Sequence, residues 1–152
     1  MIKFNNISGE APYKVLKGFY NDSLKAKQEN MEAITIASYS LRNKEVNARF
    51  VNLKFVNDKE FIFFSNYNSP KSKDFKTHDQ ITALIYWNRI NVQIRMKAKI
   101  KKTNQEFNKS YFLNRDPKKN ALAISSNQSK VISSYEAVKD NYETILKDSN
   151  LS

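Results

Sequence analysis

The chain has 152 residues, 40% hydrophobic and 12% aromatic, which suits one globular domain spanning 1–152 and excludes a disordered segment. Lys and Arg number 26 against 15 Asp and Glu, a formal charge of +11, but the lysines are spread along the chain and read as solvated faces rather than a basic tail. The absence of cysteine excludes disulfides, thiolate metal sites and a Cys nucleophile. No apolar run approaches the ~20 residues of a membrane helix, and MIKFNNISGE lacks the apolar core of a signal peptide, so a cytoplasmic location without membrane contact is expected.

Residues 11–27 read as a helix, with Pro12 in its first turn and Val15, Leu16, Phe19, Tyr20 and Leu24 at helical spacing. A strand over Ala33–Tyr39 follows, then a turn at Leu41–Lys44 and a long strand over Glu45–Val56. Asn57-Asp58-Lys59 is a hairpin signal leading into Phe61–Ser65, a strand apolar enough to be buried on both faces. With only 2 Gly in the chain, tight turns must lean on Asn and Asp, which tolerate left-handed backbone.

Ser69–Thr77 reads as a loop and a short helix, Ile81–Trp87 as a strand, and Asn88–Asn91 as a turn. In Val92–Lys102, Val92, Ile94, Met96, Ala98 and Ile100 alternate with Gln93, Arg95, Lys97, Lys99 and Lys101, the pattern of a strand with one buried and one polar face. Helices are expected over Asn104–Asn114, Pro117–Ile124 and Val131–Leu146, with a polar loop over Ser125–Lys130. Sequential strands with short connections favour an antiparallel meander or small barrel, because parallel neighbours need longer crossovers.

Side-chain acid–base chemistry finds little support. The single histidine, His78, falls in a loop, no nucleophile elbow or P-loop is present, and His/Cys metal clusters are excluded by count. The catalytic residues stay unassigned, and an enzyme of this composition would draw its chemistry from a cofactor.

Cationic and polar groups on the strands suggest where such a ligand would sit. Arg49 and Lys54 lie on one strand but on opposite faces, unless that strand bends or bulges. Ser65-Asn66-Tyr67-Asn68-Ser69-Pro70-Lys71 brings hydroxyls and a lysine to a helix start, which suits phosphate. Gln93 can offer an amide to a heterocycle edge. Tyr111 and Arg115 are four apart on a helix face, with Lys119 nearby, and could grip a second phosphate.

Together, RFVNLK at 49–54, FFSNYNSPK at 63–71, Trp87 with VQIR at 92–95, YFLNR at 111–115 and SNQS at 126–129 resemble the pyridoxamine 5'-phosphate oxidase family. The resemblance covers about residues 10–135. It implies a mainly β fold with flanking helices, an FMN-binding split β-barrel of Greek-key-like antiparallel strands, working as a homodimer with FMN at the subunit interface. By the same resemblance, Arg49, Phe50, Val51, Lys54, Phe64 and Ser65 would line the FMN site, together with Ser69, Lys71, Gln93, Gln128 and Ser129. Lys54, Tyr111, Arg115 and Lys119 would face a small-molecule substrate, a pyridoxal-type phosphate. The family oxidises pyridoxine or pyridoxamine 5'-phosphate to pyridoxal 5'-phosphate, with hydride passing to the flavin and dioxygen reoxidising it.

Three departures stand against that pattern. Pro70 occupies the place of an arginine, and Lys119 that of a serine. Nothing in 1–152 matches the family's C-terminal segment, with its Trp and Arg near the flavin and its Arg-x-His clamp. A shortened FMN-binding relative with another substrate is therefore the alternative, and a noncatalytic nucleic-acid-binding barrel the more distant one.

Overall fold

Alternating apolar and polar residues between Ala33 and Lys99 build the sheet in the computed structural model of the chain, which describes residues 1–125 and 131–149. Two compact units result. The first holds Met1–Tyr67 and Lys71–Ile100; the second holds Asn68–Pro70 and the chain from Lys101 onward.

In the first unit, β1 (Lys3–Asn5) is followed by α1 (Ala11–Lys25), β2 (Ala33–Ser40), β3 (Glu45–Asn57) and β4 (Glu60–Phe63). Then come α2 (Pro70–Thr77), whose first residue belongs to the second unit, β5 (Gln80–Trp87), a 3-10 turn (Asn88–Ile90) and β6 (Val92–Lys99). The strands run in the order β1-β3-β2-β5-β6, with β4 also on β3. β2–β3, β3–β4 and β5–β6 are antiparallel hairpins, and β2–β5 is antiparallel too. The pairing of β1 with β3 is parallel, so the sheet is mixed. Three residues are too few to show a period, and the strand goes unread in the sequence.

Strand β3 serves two partners in succession. Its first part pairs with β2 as far as Asn52 opposite Ala33. From Leu53 it pairs with β4, and the register slips between Leu53 and Phe55, leaving Lys54 as the extra residue of a β-bulge. The slip exchanges odd for even positions on the buried side. Arg49 and Val51 are half-buried and Leu53 is fully buried, whereas after the bulge the buried residue is Val56.

The core lies between this sheet and α1. Ile34, Ile36, Leu53, Val56, Ile81, Ile85 and Trp87 meet Leu16 and Tyr20 of the helix. Tyr20 stacks between Phe4 and Trp87 at centroid distances of 4.9 and 6.1 Å, and its hydroxyl accepts a hydrogen bond from the Ile2 amide at 3.1 Å. Burying each large apolar side chain stabilises the fold by about 1.5–3 kcal/mol, which is why α1 docks with its Leu16–Tyr20 stripe inward.

Two strand expectations need correction. β4 ends at Phe63 and buries only Ile62, so it is not covered on both faces; a short strand paired on β3 leaves its other side half open. β6 ends at Lys99, short of Lys102; its apolar face is half-buried, with Ile94 and Met96 packed against the core and the alternating residues exposed.

The shortage of glycine leaves a visible mark. Asp58 and Asn91 take left-handed backbone at φ 49° and 51°, as turn residues should, but Lys27 and Lys44 do so as well, at 53° and 56°. Lys27 closes α1 in a Schellman arrangement. Its amide donates to the Leu24 carbonyl at 3.0 Å, and the Gln28 amide donates to the Ser23 carbonyl at 2.9 Å. A Cβ in that conformation costs about 1 kcal/mol or more. Lys27→Gly is therefore expected to raise the melting temperature by about 2 °C, after allowing for the greater freedom of glycine in the unfolded chain. A thermal melt followed by circular dichroism reads it directly.

The second unit contains α3 (Gln105–Leu113), α4 (Pro117–Ser125) and α5 (Tyr135–Ser149). Asn104 caps α3, its side chain accepting from the Phe107 amide at 2.7 Å. α4 packs on α5, and the Asn141 amide group donates to the Ser125 carbonyl at 3.1 Å. The helix expected from Val131 begins only at Tyr135; Val131 is fully exposed and the Ser134 hydroxyl accepts from the Ala137 amide at 3.1 Å, so the serine marks the true start.

Candidate functional site

A guanidinium on the core-facing side of β3 forms the centre of the site. Arg49 stands opposite Ile36 of β2, so both side chains point to the face that carries the core. Its Nη1 donates to the Ser38 hydroxyl at 2.7 Å and to the Ile36 carbonyl at 3.3 Å, both neutral acceptors. Burial pulls its pKa down, and the Asp74 carboxylate partly offsets that.

Lys71, in the first turn of α2, is 8% exposed. Burial, and then the positive charge of Arg49, push its pKa below the ordinary lysine range. The turn before it is held by the Ser72 hydroxyl, which donates to the Asn66 carbonyl at 2.9 Å. At the end of β4, Phe64 meets Phe55 edge to face at 6.3 Å, and the buried Ser65 hydroxyl has no hydrogen-bond partner among the described residues. Two partly desolvated cations, the arginine's charge disfavouring the lysine's, together with an unsatisfied hydroxyl on the segment joining their elements, are suited to a multivalent anion such as a phosphate.

Lys54 occupies the bulge. Its Nζ lies 3.9 Å from a Glu32 carboxylate oxygen, which is also 3.8 Å from the amino group of Met1. The Glu32 carbonyl accepts from the Leu53 amide at 2.8 Å, so the same residue fixes the strand beside the bulge. The bulge removes the objection that Arg49 and Lys54 must face opposite ways.

The remaining expected residues divide among several places. Val51 shares the Arg49 face, whereas Phe50 is on the other and is 76% exposed. The row Phe50–Thr35–Leu84–Arg95 crosses that outer face, and Gln93, opposite Tyr86, belongs to it. Gln93 and Arg49 of one chain are thus on opposite faces of the sheet.

In the second unit Ser69 is buried, and Tyr111 is half-buried with its ring edge-on to Phe112 at 6.2 Å. Arg115 is not on the α3 face with Tyr111: the helix stops at Leu113, and the guanidinium instead lies 5.8 Å over the Phe112 ring. Asn114 ends the helix, its side chain turning back to the Ser110 carbonyl at 2.8 Å. Lys119 is exposed on α4. Gln128 and Ser129 lie outside the described residues.

Sequence reasoning missed Ser38 and Glu32. The signal for Ser38 was present: in Ile34-Thr35-Ile36-Ala37-Ser38 the buried alternation runs into a hydroxyl, and a buried hydroxyl needs a partner. Among the described residues no group of three or more His, Asp or Glu could hold a metal, and no helix is long and apolar enough to cross a membrane.

Comparison with known proteins bears on this geometry. The family model described as pyridoxamine 5'-phosphate oxidase matches residues 21–147. A pyridoxine/pyridoxamine 5'-phosphate oxidase of Burkholderia multivorans is 32% identical over 123 residues, covering 81% of this chain and 57% of that protein. One from Trichormus variabilis is 30% identical over 128 residues, covering 84% and 59%. The chain therefore spans less than three fifths of the length of these relatives.

Among solved structures, PhzG from Burkholderia lata, crystallised with tetrahydrophenazine-1-carboxylic acid, superposes with a TM-score of 0.82 at 20% identity, covering 90% of this chain and 67% of that one. A pyridoxamine 5'-phosphate oxidase-related, FMN-binding protein of Nostoc punctiforme gives 0.67 at 11%, covering 86% and 72%. These likenesses bear out the split-barrel fold. The family match runs through both the Arg49 strand and the Lys71 turn, and the chain belongs to the pyridoxamine 5'-phosphate oxidase family.

Proposed function

We propose that the protein is an FMN-dependent oxidoreductase, and that pyridoxine or pyridoxamine 5'-phosphate is the substrate to test first. The observation that carries the reading is the half-buried Arg49 and the buried Lys71, close enough that the arginine's charge lowers the lysine's pKa, with an unsatisfied Ser65 hydroxyl on the segment joining their elements. Such a cluster fits the phosphate of FMN. The cofactor is FMN, which when bound supplies a hydride-accepting ring that no side chain of this protein can replace.

The chain's own residues bind and orient. Arg49 offers a planar fork to phosphate oxygens, and Lys71 a point charge. Lys54, steadied by Glu32, brings an ammonium to the bulge and is the residue assigned to both flavin and substrate. Tyr111, Arg115 and Lys119 supply a hydroxyl and two cations suited to an anionic substrate. The protein works as a homodimer in this reading, because Gln93 and Arg49 of a single chain face away from each other. A flavin held by Arg49 would therefore meet the Gln93 amide of a second copy.

The test is a titration of the purified protein with FMN and with riboflavin, followed by assay of the loaded protein with pyridoxamine 5'-phosphate under air. Micromolar or tighter FMN binding that weakens at least about tenfold for riboflavin supports the phosphate site, since one such step is about 1.4 kcal/mol. Pyridoxal 5'-phosphate formation at a rate on the order of 1 per second or faster supports the substrate. Failure to bind FMN overturns the whole reading. Binding without turnover overturns the substrate alone and favours another small oxidisable or reducible molecule.

A further inference from the structure

We infer that Ser38 is the positioning residue for Arg49, fixing the guanidinium for an incoming flavin phosphate and thereby setting the preference for FMN over riboflavin. The inference rests on the phosphate site proposed above, and goes beyond it by assigning a role to a residue on the neighbouring strand.

Ser38 is 2% exposed, on the β2 face that also carries Ile34 and Ile36. A hydroxyl buried there is costly unless it is bonded. The bond it makes is short and charge-assisted, 2.7 Å from Nη1 of Arg49. The register explains the reach. Arg49 is opposite Ile36, and Ser38 is opposite Asn47, one same-face step along the ladder, so the long side chain lies across the strand pair onto Ser38.

Two consequences follow from that geometry. Both hydrogen bonds of Arg49 use Nη1, taken up by Ser38 and the Ile36 carbonyl. The Nε and Nη2 edge makes no hydrogen bond among the described residues, and that edge is the one able to grip a phosphate with two parallel bonds. The side-chain ordering that a flexible arginine would otherwise undergo on binding is supplied by its contacts to Ser38 and Ile36 within the fold, which is the advantage of preorganisation.

Asp74 is the competing destination. Its carboxylate is close enough to raise the Arg49 pKa, yet no ion pair between the two is formed. Removing the Ser38 hydroxyl frees the guanidinium to turn towards that carboxylate and away from the anion.

The test measures dissociation constants for FMN and riboflavin with the full chain carrying Ser38→Ala, Ser38→Thr, Arg49→Ala and the Ser38→Ala/Arg49→Ala pair. FMN binding by Ser38→Ala is expected to weaken about tenfold, the size of one lost hydrogen bond to a charged group, while riboflavin binding stays unchanged. Ser38→Thr, which keeps the hydroxyl, restores FMN binding. In the Arg49→Ala background the Ser38 substitution adds no further loss, because the partner it positions is gone. Adding Asp74→Asn to Ser38→Ala recovers part of the affinity.

Should Ser38→Ala not fold, Ser38→Cys replaces it, with nearly the same volume and a poor acceptor. Unchanged FMN affinity in Ser38→Ala or Ser38→Cys overturns the assignment. So does an equal loss for riboflavin, or a penalty that persists without Arg49. If the unaltered protein fails to bind FMN, both the phosphate site and the role of Ser38 fall, an outcome distinct from unaltered protein that binds and a Ser38 variant that binds equally well.

Discussion

Replacing Arg49 and Lys71 together by alanine is expected to weaken FMN binding by about a thousandfold, with each single substitution accounting for about ten- to a hundredfold. A hydrogen bond to a charged group contributes about 1.5–3 kcal/mol, and each 1.4 kcal/mol is a factor of ten. Lys71 is buried and Arg49 half-buried, and a thousandfold loss, about 4.2 kcal/mol, lies near the middle of what two such bonds contribute. Riboflavin affinity should hardly change, which separates loss of the phosphate site from general damage. Quenching of flavin fluorescence during titration reads both constants.

The same pair makes a pH prediction with a definite sign. Lys71 has its pKa lowered by burial and by the Arg49 charge, so it loses its proton below the usual lysine value of 10.5. FMN affinity should fall as the pH rises through that window, and Lys71→Ala should abolish the fall. Stability of the apoprotein moves the other way. Between the depressed folded pKa and the ordinary value, the unfolded chain binds more protons at this position than the folded one, so Lys71 makes the fold more stable as pH rises. The fold thus carries a cation at neutral pH that burial disfavours, and an anionic ligand removes that disadvantage.

Trp87→Ala should be the most damaging single core substitution. Trp87 is 1% exposed, lies 6.1 Å from the Tyr20 ring and donates from Nε1 to the Met31 carbonyl at 3.1 Å. Truncating a buried aromatic costs about 3–5 kcal/mol, and the Met31 carbonyl loses its donor. For a chain of this size each kcal/mol corresponds to about 2–4 °C, so a fall of about 10 °C or more is expected by calorimetry. Trp87→Phe separates the contributions: it keeps much of the ring contact and loses the hydrogen bond, and should cost about 1–2 kcal/mol. Because Trp87 ends β5 beside α1, its loss should also loosen the tether between Tyr20 and the Ile2 amide.

Most of the fold was legible because periodicity and turn chemistry agree along this chain. The hairpin at Asp58, the turn ending at Asn91 and the alternation in Ala33–Ser40 all appear where the residues place them. What escaped is non-local. β1 is a strand only because β3 offers it an edge, and no feature of Lys3-Phe4-Asn5 announces that. The short reach of β4 reflects its single partner rather than its composition.

The candidate site was legible in its residue types and less so in its arrangement. Arg49 lies near enough to Lys71 for its charge to lower the lysine's pKa, but the Lys54 bulge depends on β3 changing partners, which a single-strand face argument cannot see. Arg115 follows the end of α3 onto Phe112 because the helix stops at Leu113, two residues short of what a helical pairing with Tyr111 requires.

The double duty of β3 has a consequence for how this protein breathes. One half of the strand belongs to the ladder of β2 and β5, the other to that of β1 and β4, and the crossover falls at Leu53. Neither ladder can detach cleanly without disturbing the backbone that the other needs, so amides on both sides should exchange with solvent as one cooperative unit. The bulged lysine sits at that seam, and a ligand gripping it would slow the opening of the whole sheet rather than of one edge.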